Sequence, residues 1–107
     1  MNALKWDKEF ALEQAADDAE LLEELLEIFK ESFLSDLQLI EEGLAEGSAV
    51  KIMGAAHSIK GAAASLGILG IHETALQVEE DSRAGGVDVA REKVEVLQSL
   101  LTDLQTV

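Results

Sequence analysis

The sequence contains no cysteine, which excludes disulfide bridges, thiol nucleophiles and thiolate metal sites. It contains no proline and no tyrosine, and its aromatics are Trp6, Phe10, Phe29 and Phe33 alone. A proline-free chain rich in Leu, Glu, Ala and Gln favours helix over strand. Basic residues are scarce. Eight Lys and Arg stand against 22 Asp and Glu, for a formal net charge of −14 over 107 residues. Nucleic-acid binding is therefore not expected, because phosphate backbones reward cations. The acidity reads as solvated charged faces rather than as a dedicated basic-partner surface. No apolar run approaches the roughly 20 residues of a membrane span. The N-terminal Met-Asn-Ala-Leu-Lys-Trp-Asp-Lys-Glu stretch lacks the apolar segment of a secretion signal. A soluble, cytoplasmic monomer forming one domain over residues 1–107 is the expectation.

What is present is helical periodicity. A short helix over about Asp7–Gln14 should lay Trp6, Phe10 and Leu12 over one end of the molecule. A long helix should begin at Asp17 or Asp18, either of which can cap free N–H groups, with Glu20 adding a favourable first-turn charge. Its apolar residues Leu22, Leu26, Phe29, Phe33, Leu37, Ile40 and Leu44 recur at steps of three and four, one face of a helix. Leu21, Leu25 and Ile28 widen that face where the short helix could cover it. Gly43 weakens the helix end and Gly47 terminates it. Ser48 caps a third helix with the stripe Ile52, Ala56, Ile59, Ala63 and Leu66, broken by Gly67. A fourth helix spans about Leu69–Arg83, with Ile71, Ala75 and Val78 inward, and closes at Gly85-Gly86. A fifth carries Val87, Ala90, Val94, Leu97, Leu101 and Leu104. Four amphipathic helices joined by short turns predict an all-α, up-down-up-down four-helix bundle with a short additional N-terminal helix.

The third helix carries the chemistry. At 100° per residue, His57 falls about 140° from the inward stripe and faces outward. Gly54, Gly61 and Ala64 share its side, and Met53 and Lys60 lie between that surface and the core. Gly54 and Gly61 sit one turn before and after His57, although each glycine inside a helix costs about 1 kcal/mol relative to Ala. A sequence selected for stability alone would place Ala, Glu or Lys there. Small neighbours instead leave the imidazole on a bare surface that another protein can approach. Lys60 on the same flank can reach an anion attached to the ring. It is expected to be exposed, so that its loss changes stability within about 0.5 kcal/mol.

The segment Ala56-His57-Ser58-Ile59-Lys60-Gly61-Ala62-Ala63-Ala64-Ser65-Leu66-Gly67 resembles the His-x-x-Lys-Gly signature of histidine-containing phosphotransfer (HPt) domains. The Asp17–Leu22 start of the long helix is similar too, and Glu79 falls where the family places a polar residue beside its histidine. The resemblance implies that His57 takes a phosphoryl group from a receiver-domain aspartyl phosphate and passes it to another receiver, with Nε2 the usual site. It implies that Lys60 steadies the phosphoryl group and that Glu79 orients the histidine or the phosphoryl group, where many members have Gln. Met53, Gly54, Gly61 and Ala64 would form the docking surface. The implied partners are response-regulator receivers, a hybrid sensor histidine kinase, or both. No cofactor is implied for this chain, since magnesium would sit on the receiver. An exposed imidazole suits the role, because phosphoryl transfer asks mainly for alignment and charge stabilisation. No nucleotide loop or catalytic base is present, so the chain reads as a phosphoryl carrier rather than an enzyme.

Two other readings stand beside this one. The phosphotransfer domain of a chemotaxis-type kinase would use the same histidine with an ATP-binding kinase domain as donor. A non-catalytic bundle would bind receivers or kinases without carrying phosphate. His72, at the edge of the Ile71-Ala75-Val78 face, reads as structural. A metal bundle is disfavoured, because Glu-x-x-His pairs are lacking: Gly54 precedes His57 by three residues and Leu69 precedes His72 by three.

Overall fold

In a computed structural model that describes residues 3–107, the first three helices start where a side chain covers their free N–H groups. Asp7 accepts from the Phe10 amide ahead of α1 (Lys8–Gln14), and Asp18 accepts from Glu20 and Leu21 ahead of α2 (Ala19–Glu46). Ser48 does the same for α3 (Ala49–Ser65) through the Lys51 amide. The start of α4 (Leu69–Arg83) has no side-chain cap. For α5 (Asp88–Gln105) the acceptor comes from the preceding helix, where Asp81 Oδ2 lies 3.2 Å from the Val89 amide. Gly47 closes α2 at φ 68°, and Gly67 turns the chain between α3 and α4 at φ 69°. Among the described residues there is no strand, only an isolated bridge between Trp6 and Ile68.

The protein is an all-α helical bundle. Four helices close a ring of contacts: α2 on α3, α3 on α4, α4 on α5, and α5 back on α2. Phe33 and Ile40 of α2, Ile52 and Ile59 of α3, Ile71 of α4 and Leu97 of α5 belong to one core along the bundle, all fully buried. Burying such faces is the main stabilising contribution, since isolated helices of this length are marginal in water. The 28 residues of α2, at about 1.5 Å each, match the 42 Å long axis of the molecule. One helix thus sets its length. Among the described residues no helix is long and apolar enough to cross a membrane.

The N-terminal segment is fastened to the α3–α4 turn. Asp7 N donates to Gly67 O at 2.9 Å, Gly70 N to Leu4 O at 2.8 Å, and the Trp6 indole to Leu66 O at 3.0 Å. Leu4 is buried, and a Cβ at Gly70 would overlap the Ala3 and Leu4 carbonyls. Met1 and Asn2, the start of the stretch read above for a secretion signal, lie outside the described residues.

Two expectations about α2 need correction. The seven-residue α1 is too short to cover the widened face: Ile28 is 63% exposed, Leu21 is exposed, and only Leu25 is half-buried. Gly43 does not mark a fraying end. It is buried within the continuous helix, where a Cβ would stand 2.7 Å from Ile52 Cγ1 on α3. Its role is close helix approach.

Candidate functional site

The packing of α3 on α4 builds the site. On α3, Ile52, Ala55, Ala56, Ile59 and Ala63 face inward. That orientation turns His57 outward, with two-thirds of its side chain, 66%, exposed to solvent. Gly54, Gly61 and Ala64 are exposed beside it, and Met53 and Lys60 are half-buried. Beyond the adjoining turns of α3 itself, no atom lies within 4 Å of where a Cβ would stand at Gly54 or Gly61, so neither glycine serves packing inside the bundle. Their propensity cost is uncompensated within the described fold.

Glu79 approaches from α4. It occupies a buried position with 1% of its side chain exposed, next to Val78 on the inward face. An isolated buried carboxylate is costly, and here three donors surround it. His57 Nδ1 lies 2.7 Å from Glu79 Oε2, and Arg83 Nη2 lies 2.8 Å from the same oxygen. Lys60 Nζ lies 2.6 Å from Oε1. The lysine contact is an ion pair whose direction departs from hydrogen-bond geometry, leaving Oε1 without a directed hydrogen bond. Burial alone would raise the Glu79 carboxyl, but the Lys60 ammonium and the His57 imidazole outweigh it and hold the group below its ordinary value. Glu79 is therefore an anion at neutral pH.

An ionised carboxylate only accepts, so the ring nitrogen facing it must carry the proton. The His57 ring is accordingly protonated at Nδ1, and in the neutral ring Nε2 holds the lone pair. This is an arrangement for a nucleophile: one nitrogen anchored to a buried anion, the other unprotonated.

The three residues singled out by sequence as His57, Lys60 and Glu79 thus come together. The structure corrects one property of Lys60. Its side chain is only 23% exposed and is committed to Glu79 rather than lying free on the surface. Arg83 joins the site unforeseen, although its position four residues after Glu79 on one helix was a readable signal. His72 stands apart. It is half-buried, with Nδ1 3.3 Å from the Lys60 carbonyl, a contact that ties α4 to α3. On the opposite flank of α3, Asp36 of α2 meets Ser58; burial raises its carboxyl and the serine contact opposes that rise. Among the described residues no group of His, Asp and Glu side chains is arranged to hold a metal ion.

Comparison with known proteins bears on the same elements. The family model described as Hpt domain matches residues 24–107, which include α3, α4 and α5 whole and most of α2. The resemblance noted at Asp17–Leu22 falls before that span. No curated protein and no solved structure matches the chain. With more than half of its length matched, the chain belongs to the Hpt domain family, phosphocarrier modules of two-component and phosphorelay signalling.

Proposed function

We propose that this chain accepts a phosphoryl group on His57 Nε2 from a receiver-domain aspartyl phosphate and passes it to a second receiver, within a phosphorelay that includes a hybrid sensor histidine kinase. The observation that carries the reading is the geometry of His57. Its Nδ1 is held 2.7 Å from a buried carboxylate while the ring remains largely exposed. In the forward step Nε2 attacks phosphorus, an N–P bond forms, and the P–O bond to the aspartyl oxygen breaks. Glu79 keeps the Nδ1 proton in place, so the ring presents the same nitrogen in both directions. The reverse step returns the electron pair to Nε2 as a new P–O bond forms on the acceptor aspartate.

The other residues have supporting roles. Gly54, Gly61 and Ala64 leave room for a receiver to approach the ring, with Met53 at the edge of that surface. Lys60 neutralises Glu79 before transfer and would steady the charge arriving on the imidazole. Magnesium belongs to the receiver, and the chain needs no cofactor of its own. The ring of helix contacts and the short turns support an up-down-up-down arrangement of α2 to α5, working as a cytoplasmic monomer.

The test is phosphorylation of the purified chain by a receiver domain loaded on its aspartate. The expected product is an acid-labile, base-stable adduct, absent from His57→Gln. A His57→Gln protein that still accepts the phosphoryl group overturns the assignment, as does a wild-type protein that binds receivers but never carries phosphate.

A further inference from the structure

Arg83 has no assigned part in the reading above, yet it competes for the atom that anchors the nucleophile. Glu79 Oε2 receives both His57 Nδ1 at 2.7 Å and Arg83 Nη2 at 2.8 Å. The charged groups paired with Glu79 are His57 and Lys60 from α3 and Arg83 from α4. Among the described residues no ion pair joins α5 to it. Lys60 pairs with the other oxygen, Oε1, so Arg83 acts on the carboxylate only through Oε2. The ionisation of Glu79 is governed by Lys60 and His57. What remains for Arg83 is the oxygen it shares. A cationic donor on Oε2 draws electron density away from the bond to His57 and makes that oxygen a weaker acceptor.

We infer that Arg83 is a positioning residue of the phosphotransfer site: by sharing Glu79 Oε2 with His57 Nδ1, it weakens the carboxylate's hold on the imidazole proton and slows loss of the phosphoryl group from Nε2. The inference rests on the phosphotransfer reading of His57. Its chemistry concerns the leaving group. When the phosphoryl group departs, the Nε2–P bond breaks, its electron pair stays on Nε2, and a P–O bond forms to water or to a carboxylate. A ring that carries protons and positive charge gives up that bond more readily than a neutral one. A carboxylate that pulls harder on Nδ1–H favours the cationic ring. Arg83 moderates that pull, so the chain holds its phosphoryl group longer while waiting for a receiver.

The experiment has two arms on the full chain. The first titrates the unphosphorylated His57 ring by nitrogen-detected NMR in wild type, Arg83→Ala and Arg83→Lys. Loss of Arg83 leaves the Glu79 charge less compensated, so the midpoint should rise by about 0.2–0.7 pH units, the range an exposed cation supplies. Arg83→Lys keeps the charge and should shift by less than half as much. The second arm loads each protein with potassium phosphoramidate, which phosphorylates imidazoles with release of ammonia. Phosphoryl loss at neutral pH should then be about two- to fivefold faster in Arg83→Ala, the rate equivalent of that midpoint shift. An unchanged or lowered midpoint in Arg83→Ala overturns the inference, and so does an equal shift in both variants, which would point to lost packing. A wild-type chain that fails to take phosphate on His57 overturns the underlying function instead, and the titration separates the two failures.

Discussion

At the scale of single residues, the site is organised by a carboxylate that composition alone would place in water. Glu79 is covered by Lys60, His57 and Arg83, so Lys60 has a structural task. Lys60→Ala leaves a buried anion with one compensating charge fewer. The cost should be about 1–3 kcal/mol, above the 0.5 kcal/mol expected of an exposed lysine, because His57 and Arg83 remain as partners. Urea denaturation at neutral pH measures it, and a loss below about 0.5 kcal/mol would return Lys60 to the surface class. The same site has a defined pH dependence. Folding lowers the Glu79 carboxyl, so the unfolded chain takes up that proton first as pH falls. The stabilisation is complete above the unfolded glutamate value of about 4.3 and is lost as pH drops through the lower folded value. The stability gap between wild type and Glu79→Gln should therefore be widest near neutrality and narrow below about pH 4. A gap that stays constant into acid would mean the Glu79 charge adds nothing to folding. The exposure of His57 was legible from helical spacing alone. The burial of Glu79 was not, since charged residues are rarely interior unless paired and the pairing lies across two helices.

At the scale of helices, glycine separates positions that packing requires from positions that packing leaves free. Gly61 and Gly43 both lie inside helices, and propensity treats them alike. Their surroundings are opposite. Beyond the adjoining turns of α3 itself, a Cβ at Gly61 meets nothing within 4 Å, whereas one at Gly43 stands 2.7 Å from Ile52 Cγ1 and 3.2 Å from the Ser48 carbonyl. Gly61→Gln should hold or raise stability by up to about 1 kcal/mol while slowing transfer, because the new side chain stands one turn from His57 in the path proposed for a receiver. Gly43→Ala should lower the melting temperature despite the better helix former, because α2 and α3 must move apart. Parallel melting curves and phosphoryl-acceptance rates check the pair. Destabilisation by Gly61→Gln with normal transfer would reassign that glycine to packing. The caps at Asp18 and Ser48 and the stop at Gly47 could be read directly, because each acts on its own few residues. The value of Gly43 could not, because the contact that requires it belongs to another helix. The exposure of Ile28 had the same cause: a seven-residue α1 cannot reach it, and no local pattern encodes that reach.

At the scale of the whole molecule, the charge imbalance opposes the compact fold. The described ion pairs engage each of the eight basic residues except Lys8, whose ammonium lies 5.8 Å from the Trp6 ring centroid. Most of the 22 acidic residues have no such partner, and Glu20, Glu23, Glu24 and Glu27 stand together on one stretch of α2. Two effects of salt then compete. Screening weakens the exposed ion pairs, each worth about 0–1 kcal/mol. It also weakens repulsion among the unpaired carboxylates, which acts over longer distances. At 0.01 M salt the screening length is about 30 Å, comparable with the molecule's 42 × 25 × 21 Å extents, so nearly every carboxylate senses the others. At 0.15 M it falls to about 8 Å, and only near neighbours interact. The ion pairs at 2.6–3.9 Å lie well inside both lengths and lose less, and those on Glu79 are further shielded by its burial. Repulsion should therefore be the larger loss, and salt should stabilise the protein. Raising sodium chloride from about 0.01 to 0.15 M should lift the melting temperature by several degrees, the response of a domain of this size to about 1 kcal/mol. The lift should level off at higher salt, once the screening length is shorter than the spacing between neighbouring carboxylates. A melting temperature that falls over the same range would show that the ion pairs outweigh the excess negative charge.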